Sequence, residues 1–234
     1  MKGDIVLLQE HHKKAASVIV FNIIDQIKNK GSRFIISVAG ESGSGKSESA
    51  LAIAQELEKH GIKSIVLGQD DYFYLPPKMN SAKRHEDPDW LGPHMEVNFE
   101  VFEQNILDAV RGFSQLTKPL VDYNANTIEL ETIQLDSVKV IIAEGTYTSL
   151  LKHVDIRVFI SRNWLKTLED RKKRNRGNEV HDVFTELVLG TEHKIIAGHI
   201  QLADFIINDE YEVINVESEN KPNREKSGST NHLP

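Results

Sequence analysis

Apolar residues near the start of the chain recur at three- and four-residue intervals. Ala16, Ile19, Val20, Ile23, Ile24 and Ile27 share one side of a 3.6-residue repeat, and Gly31 follows as a stop. The spacing predicts an amphipathic helix. Its isoleucine stripe reads as core packing or as a subunit contact, so a homo-oligomer is compatible with it. The opposite face mixes both charges, unlike a membrane anchor. The pattern then changes period. Phe34-Ile35-Ile36-Ser37-Val38-Ala39 is a short apolar run rich in β-branched residues, which predicts a strand covered on both faces. After a glycine-rich turn, Ala50, Ile53, Ala54 and Leu57 restore the helical period, with Gly61 as its stop.

Further buried strands are predicted at Ser64–Leu67, Lys139–Ala143, Ile156–Ile160 and Phe205–Ile207, and another at Tyr211–Val216. Helical patterns lie between several of them. Buried strands alternating with helices imply an α/β fold with a mostly parallel sheet flanked by helices. One segment departs from this. Pro119–Tyr123 and Thr127–Leu135 flank Asn124-Ala125-Asn126, and Ile128, Leu130 and Thr132 alternate with Glu129 and Glu131. That predicts a β-hairpin inserted at about residues 118–135. The last 18 residues, 217–234, are almost wholly polar, with three acids and three bases. They are expected to form a disordered tail behind a domain of residues 1–216.

Composition narrows the chemistry. With no cysteine among 234 residues, disulfides, Cys-ligated zinc, iron–sulfur clusters and thiol catalysis are excluded. A formal charge of −7 disfavours non-specific binding to nucleic acid. No apolar run reaches the length of a membrane span, and the N-terminus does not read as a signal peptide. A cytoplasmic protein is expected. The ten histidines, His11-His12 among them, show no paired metal-ligand spacing with supporting acids.

The strongest signal lies between the first strand and the second helix. Gly40-Glu41-Ser42-Gly43-Ser44-Gly45-Lys46-Ser47 matches G-x-x-x-x-G-K-[ST]. Phosphate oxygens must meet several backbone N–H groups at once, and Gly40, Gly43 and Gly45 remove the side chains that would obstruct them. The helix N-terminus adds its dipole. Lys46 can reach the β- and γ-phosphates of ATP, and the Ser47 hydroxyl can ligate Mg²⁺.

Metal and base require carboxylates. The Lys139–Ala143 strand ends in Glu144-Gly145, and an acid there faces the nucleotide crevice. Ser64–Leu67 runs into Gly68-Gln69-Asp70-Asp71-Tyr72-Phe73-Tyr74. An Asp at this strand end can accept the proton of an alcohol near the γ-phosphate, and the neighbouring aromatics suit a flat or sugar-like acceptor. A basic run, Arg171, Lys172, Lys173, Arg174 and Arg176, precedes Gly177. It reads as a solvated helix face or as a lid, at about 162–182, whose arginines close over the phosphates.

Together these residues resemble the uridine kinase and phosphoribulokinase branch of P-loop small-molecule kinases, from about Arg33 to Ile207. Gln69-Asp70-Asp71-Tyr72-Phe73 is similar to the family's Q-D-[DS]-F-[FY], with one residue more. Pro119-Leu120-Val121-Asp122-Tyr123 resembles its P-x-Y-D-F strand, Ile142-Ala143-Glu144-Gly145 its metal-site strand end, and Ala203-Asp204-Phe205-Ile206-Ile207 its late strand. Arg171 and Arg176 before Gly177 resemble its lid. The resemblance implies an aspartate of this pair as catalytic base, Asp70 or Asp71, with Asp70 favoured, and Ser47, Glu144 and Asp70 as metal contacts. Lys46, Arg171 and Arg176 would assist catalysis, and Arg174 would bind the nucleotide. Asp71, Tyr72, Trp90, Asp122 and Tyr123 would contact the acceptor. That acceptor would be a small-molecule hydroxyl, a nucleoside such as uridine first. Sugar phosphate, glycerate, pantothenate and nicotinamide riboside are the alternatives.

Two features depart from the pattern. Val121 stands where uridine kinases have a nucleoside-binding Tyr. Asp87-Pro88-Asp89-Trp90 and the residues after it replace their D-H-P-D-A-F-like stretch. A GTP switch or an ABC-type ATPase would carry N-K-x-D or L-S-G-G-Q, and neither is present. A nucleotide-binding protein without catalysis is a further class, opposed by the intact Lys46, Ser47, Asp70 and Glu144.

Overall fold

A computed structural model describes residues 1–3, 6–162, 165 and 183–216. The first helix, α1 (Glu10–Asn29), buries Ala16, Ile19, Val20, Ile23 and Ile27, as its period demands. It packs on the second helix, α2 (Lys46–Lys59), and both cover one face of the central sheet. The C-terminus of α2 closes as expected. Gly61 takes the left-handed conformation (φ 71°), its N–H bonds Glu58 O, and the Ile62 N–H bonds Leu57 O.

Six strands form that sheet: β1 (Phe34–Gly40), β2 (Ser64–Gly68), β5 (Val140–Glu144), β6 (Ile156–Ile160), β7 (Phe205–Ile207) and β8 (Val213–Asn215). Their order is β2-β5-β1-β6-β7-β8, all parallel except the last pair. Every residue of β1 is buried. Its alternating side chains feed two cores: Phe34, Ile36 and Val38 pack with α1 and α2, while Ile35 and Ala39 pack with α4 (Phe99–Val110) on the other face. A strand covered twice cannot alternate in polarity, which is why its sequence reads as a continuous apolar run.

The hairpin forms a separate two-stranded sheet, β3 (Gln115–Asp122) with β4 (Thr127–Gln134). It starts three residues before the predicted limit, because Gln115 already pairs with Gln134. Two further helices border the site, α3 (Pro77–Glu86) and α5 (Val183–Ile196). Among the described residues, no helix is long and apolar enough to cross a membrane.

Candidate active site

The chain leaves β1 for β2 in one direction and leaves β5 for β6 in the other. In such sheets the ligand crevice opens at the carboxyl ends of the strands beside this reversal. Register brings the strand ends level there: Val38 and Gly68 both pair with Glu144. The turns after β1, β2 and β5 therefore meet.

The turn after β1 is the phosphate loop. Gly45 stands at the N-terminus of α2 with φ 97°, which a side chain would strain. The Lys46 ammonium donates to the Glu41 carbonyl at 2.8 Å and so lies over the loop. The Ser47 hydroxyl lies 3.4 Å from Glu144 Oε2. Two hard oxygen donors thus stand side by side, which fits Mg²⁺, an ion that takes few protein ligands and completes its shell with water and phosphate. The described residues contain no group of three or more His, Cys, Asp or Glu that could hold a metal ion.

The β2 and β5 ends are fitted tightly. A Cβ on Gly145 would come within 2.3 Å of Gln69 Cβ, so no side chain is possible there without displacement. Gln69 Oε1 accepts the Tyr147 N–H at 2.8 Å and holds the turn after Glu144. In the sequence Gln69 stands only as the first residue of a motif and shows no role, because its partner lies 78 positions away.

The adjacent aspartates behave differently. Asp70 is half-buried in the one-turn 3-10 helix Gln69–Tyr72. Asp71 is only 3% exposed. One of its oxygens accepts from Lys118 Nζ at 2.7 Å and the other from the Val121 N–H at 3.0 Å, so it ties the hairpin to the sheet. Lys118 is itself buried, with Glu131 at 2.8 Å on its far side. Asp71 is thus committed to the fold rather than to an acceptor.

Tyr72 also departs from expectation. It is fully buried, stacked on Phe102 at 4.1 Å, and its hydroxyl donates to Asn105 at 2.9 Å. A half-apolar ring with one polar tip satisfies the core as well as it would a ligand, and here the core takes it. Burial raises its pKa. Asp122 and Tyr123 lie at the hairpin turn. Asp122 accepts the Ala125 N–H and the Lys2 ammonium, each at 2.8 Å, and these bonds lower its pKa. The hairpin tip reaches α3, where the Lys78 N–H donates to Asn126 Oδ1. Arg171, Arg174 and Arg176 lie outside the described residues, as does the 217–234 tail.

The structure adds a polar wall of which sequence reading singled out Trp90 alone. Trp90 Nε1 donates to Asn80 Oδ1 at 2.8 Å, and Asn80 donates to Glu96. Arg84 pairs with Glu96 at 2.6 Å. Glu192 of α5 accepts from the Ser42 hydroxyl at 2.8 Å, and neighbouring His193 contacts Glu41 at 2.6 Å. Burial raises the pKa of both Glu96 and Glu192, against the pull of Arg84. Glu192 also feels the charges of Lys46 and Asp70, so the phosphate loop and the base candidate share one electrostatic site. Isolated charges 96 positions apart, Glu96 and Glu192, carry no sequence pattern that could have joined them.

Comparison with known proteins agrees with this geometry. The model of the phosphoribulokinase/uridine kinase family matches residues 35–212. A bifunctional α-galactosidase/sucrose kinase of Mediterraneibacter gnavus is 27% identical over 190 residues; these cover 76% of this chain but 20% of that longer protein. Uridine kinase of Bacillus pumilus (strain SAFR-032) is 27% identical over 187 residues, covering 74% of this chain and 85% of the relative. A candidate fructose transport system kinase of Silicibacter sp. TM1040 shares the fold, with TM-score 0.62 and 19% identity over 78% of this chain and 94% of its own. The phosphate loop, the level strand ends and the span of the match have one meaning: the chain belongs to the phosphoribulokinase/uridine kinase family of P-loop kinases.

Proposed function

We propose that this kinase transfers the γ-phosphoryl group of ATP to a hydroxyl of a small molecule. The observation that carries the reading is the meeting of Ser47 and Glu144 at 3.4 Å beside the loop that Lys46 crosses. The backbone of Gly40–Ser47 and the Lys46 ammonium bind the β- and γ-phosphates. Ser47 and Glu144 would hold Mg²⁺, which would supply positive charge to neutralise the phosphates. Asp70 accepts the proton of the acceptor hydroxyl. The acceptor oxygen bonds to the γ-phosphorus as the bond from that phosphorus to the β–γ bridging oxygen breaks, and ADP departs. Arg171, Arg174 and Arg176 supply the charge that closes over the phosphates.

A nucleoside such as uridine is the acceptor suggested by the uridine kinase relatives. A sugar is the second reading, and a specific observation favours it. Tyr72, expected beside a flat base, is in the core, and Val121, where uridine kinases have a tyrosine, is 1% exposed. Arg84 and Trp90, both partly exposed, carry hydrogen-bond donors, which suit a polyhydroxylated compound. The sucrose kinase relative acts on such an acceptor.

The test uses labelled ATP with uridine, sucrose, fructose, sugar phosphates, glycerate, pantothenate and nicotinamide riboside. Label is expected in one class only. ATP binding with transfer to none of them would leave a nucleotide-binding protein and sink the kinase mechanism.

A further inference from the structure

The family match begins at residue 35, so α1 lies ahead of it. Yet the first turn of α1 reaches the phosphate loop. His12 is 3% exposed, and its Nε2 lies 3.1 Å from where a Cβ on Gly45 would stand. Its Nδ1 accepts the Gln9 N–H at 3.2 Å, which fixes the ring's direction. His11, beside it, stacks on Tyr211 with ring centres 3.6 Å apart. His12 meets the same tyrosine edge-on at 5.1 Å. The Arg162 guanidinium lies over the Tyr211 ring at 4.7 Å and also donates to its hydroxyl.

Its position assigns this stack to a ligand. Tyr211 closes the hairpin turn between β7 and β8, where its left-handed φ of 62° belongs to the turn and its N–H bonds Asn208 O at 3.0 Å. Arg162 follows β6 and Tyr211 follows β7, so both stand at the carboxyl edge of the sheet, as the phosphate loop does. They also lie on the β6–β7 side of that loop, while Asp70 lies on the β2 side. A donor whose γ-phosphate faces Asp70 must send its other end toward β6 and β7. Flat rings and a guanidinium are the groups on which a base stacks.

We infer that α1 completes the donor site: the base of the nucleoside triphosphate packs against the stack of His11, Tyr211 and Arg162, with His12 setting α1 on the loop. This rests on the nucleotide reading of the phosphate loop, and the test separates the two. The full chain is titrated calorimetrically, with Mg²⁺ present, against a non-hydrolysable ATP analogue and against inorganic tripolyphosphate. The base should make the analogue bind more tightly than tripolyphosphate. His11→Ala and Tyr211→Ala should each narrow that gap by about ten-fold while tripolyphosphate affinity stays within about two-fold. Tyr211→Phe keeps the ring and should keep the gap. Lys46→Ala should weaken both ligands. Tripolyphosphate binding reports an intact loop, and half-exposed His11 offers a variant that spares the core should Tyr211→Ala fail to fold. A gap unchanged in His11→Ala and Tyr211→Ala, or absent from the wild type, overturns the inference. A wild type that binds neither ligand overturns the phosphate-loop reading as well.

Discussion

The turns after β1 and β2 open on the same crevice and are built on opposite principles. The first works by lacking side chains. Its glycines let backbone N–H groups converge, and the glycines and Lys46 that meet the phosphates lie within eight consecutive residues, Gly40–Ser47, even though Ser42 and Ser47 also meet Glu192 and Glu144. The second works through side chains with distant partners. Gln69 reaches Tyr147, Asp71 reaches Lys118 and Tyr72 reaches Asn105, across 78, 47 and 33 positions. One turn therefore shows its role in any sequence, whereas the other assigns roles only after folding. Adjacent aspartates with the same chemistry are separated by that difference alone.

The sharpest test of the comparison is the aspartate pair. Asp70→Asn should lower turnover by about 10²–10⁴-fold with Tm and ATP affinity nearly unchanged, as expected of a lost general base. Asp71→Asn should instead lower stability by about 3 kcal/mol, because it leaves Lys118 buried with Glu131 as its remaining carboxylate. Steady-state kinetics and denaturant unfolding read the two effects. Variants that behave alike would abolish the distinction. Lys118→Met should cost a similar amount, and the double variant Asp71→Asn/Lys118→Met should cost less than the sum of the single ones.

A smaller effect tests the tight meeting of β2 and β5. Gly145→Ala forces a methyl against Gln69 Cβ and should cost about 1–3 kcal/mol in unfolding free energy. A neutral result would mean that the strand ends separate freely.

The smallest effect concerns Glu192, whose folded pKa is raised chiefly by burial. A raised carboxyl binds its proton more readily when folded, so its contribution to stability is full below the ordinary carboxylate range. That contribution is lost as pH rises through the folded pKa. Glu192→Gln should therefore raise Tm at neutral pH by a few degrees, about 1 kcal/mol, with the gain vanishing near pH 4. It should also tighten ATP binding, because a carboxylate leaves the neighbourhood of Ser42 and Lys46. A Tm gain that persists in acid would remove the electrostatic explanation.

Legibility followed the range of the forces involved. The predicted strands over 64–67, 139–143, 156–160 and 205–207 agree with β2, β5, β6 and β7 to within one residue, because burial on both faces imposes a local apolar run. The helix over Ala16–Ile27 and its isoleucine stripe are likewise set by period. The edge strand was read less well: β8 covers Val213–Asn215, inside the predicted 211–216, since one-sided pairing constrains fewer residues. At the site, the loop and Glu144 were legible as motif and strand end. Arg84, Glu96, Lys118 and Glu192 were not, because a single charge has no period and its meaning depends on what it meets.

The sequence by itself determined the strand–loop–helix unit around Gly40–Ser47, the parallel sheet and the freedom from thiol chemistry. These depend on backbone geometry, hydrophobic period and composition, which act over a few residues or over the chain as a whole. Tertiary structure alone decided that Asp71 and Tyr72 serve the fold, that Gln69 permits only glycine at 145, and that α1 brings His12 to the phosphate loop and His11 to Tyr211. Each of these is a meeting of residues far apart in the chain. Burial then makes an unpaired charge or a misplaced methyl costly, and that cost fixes which partner each residue takes.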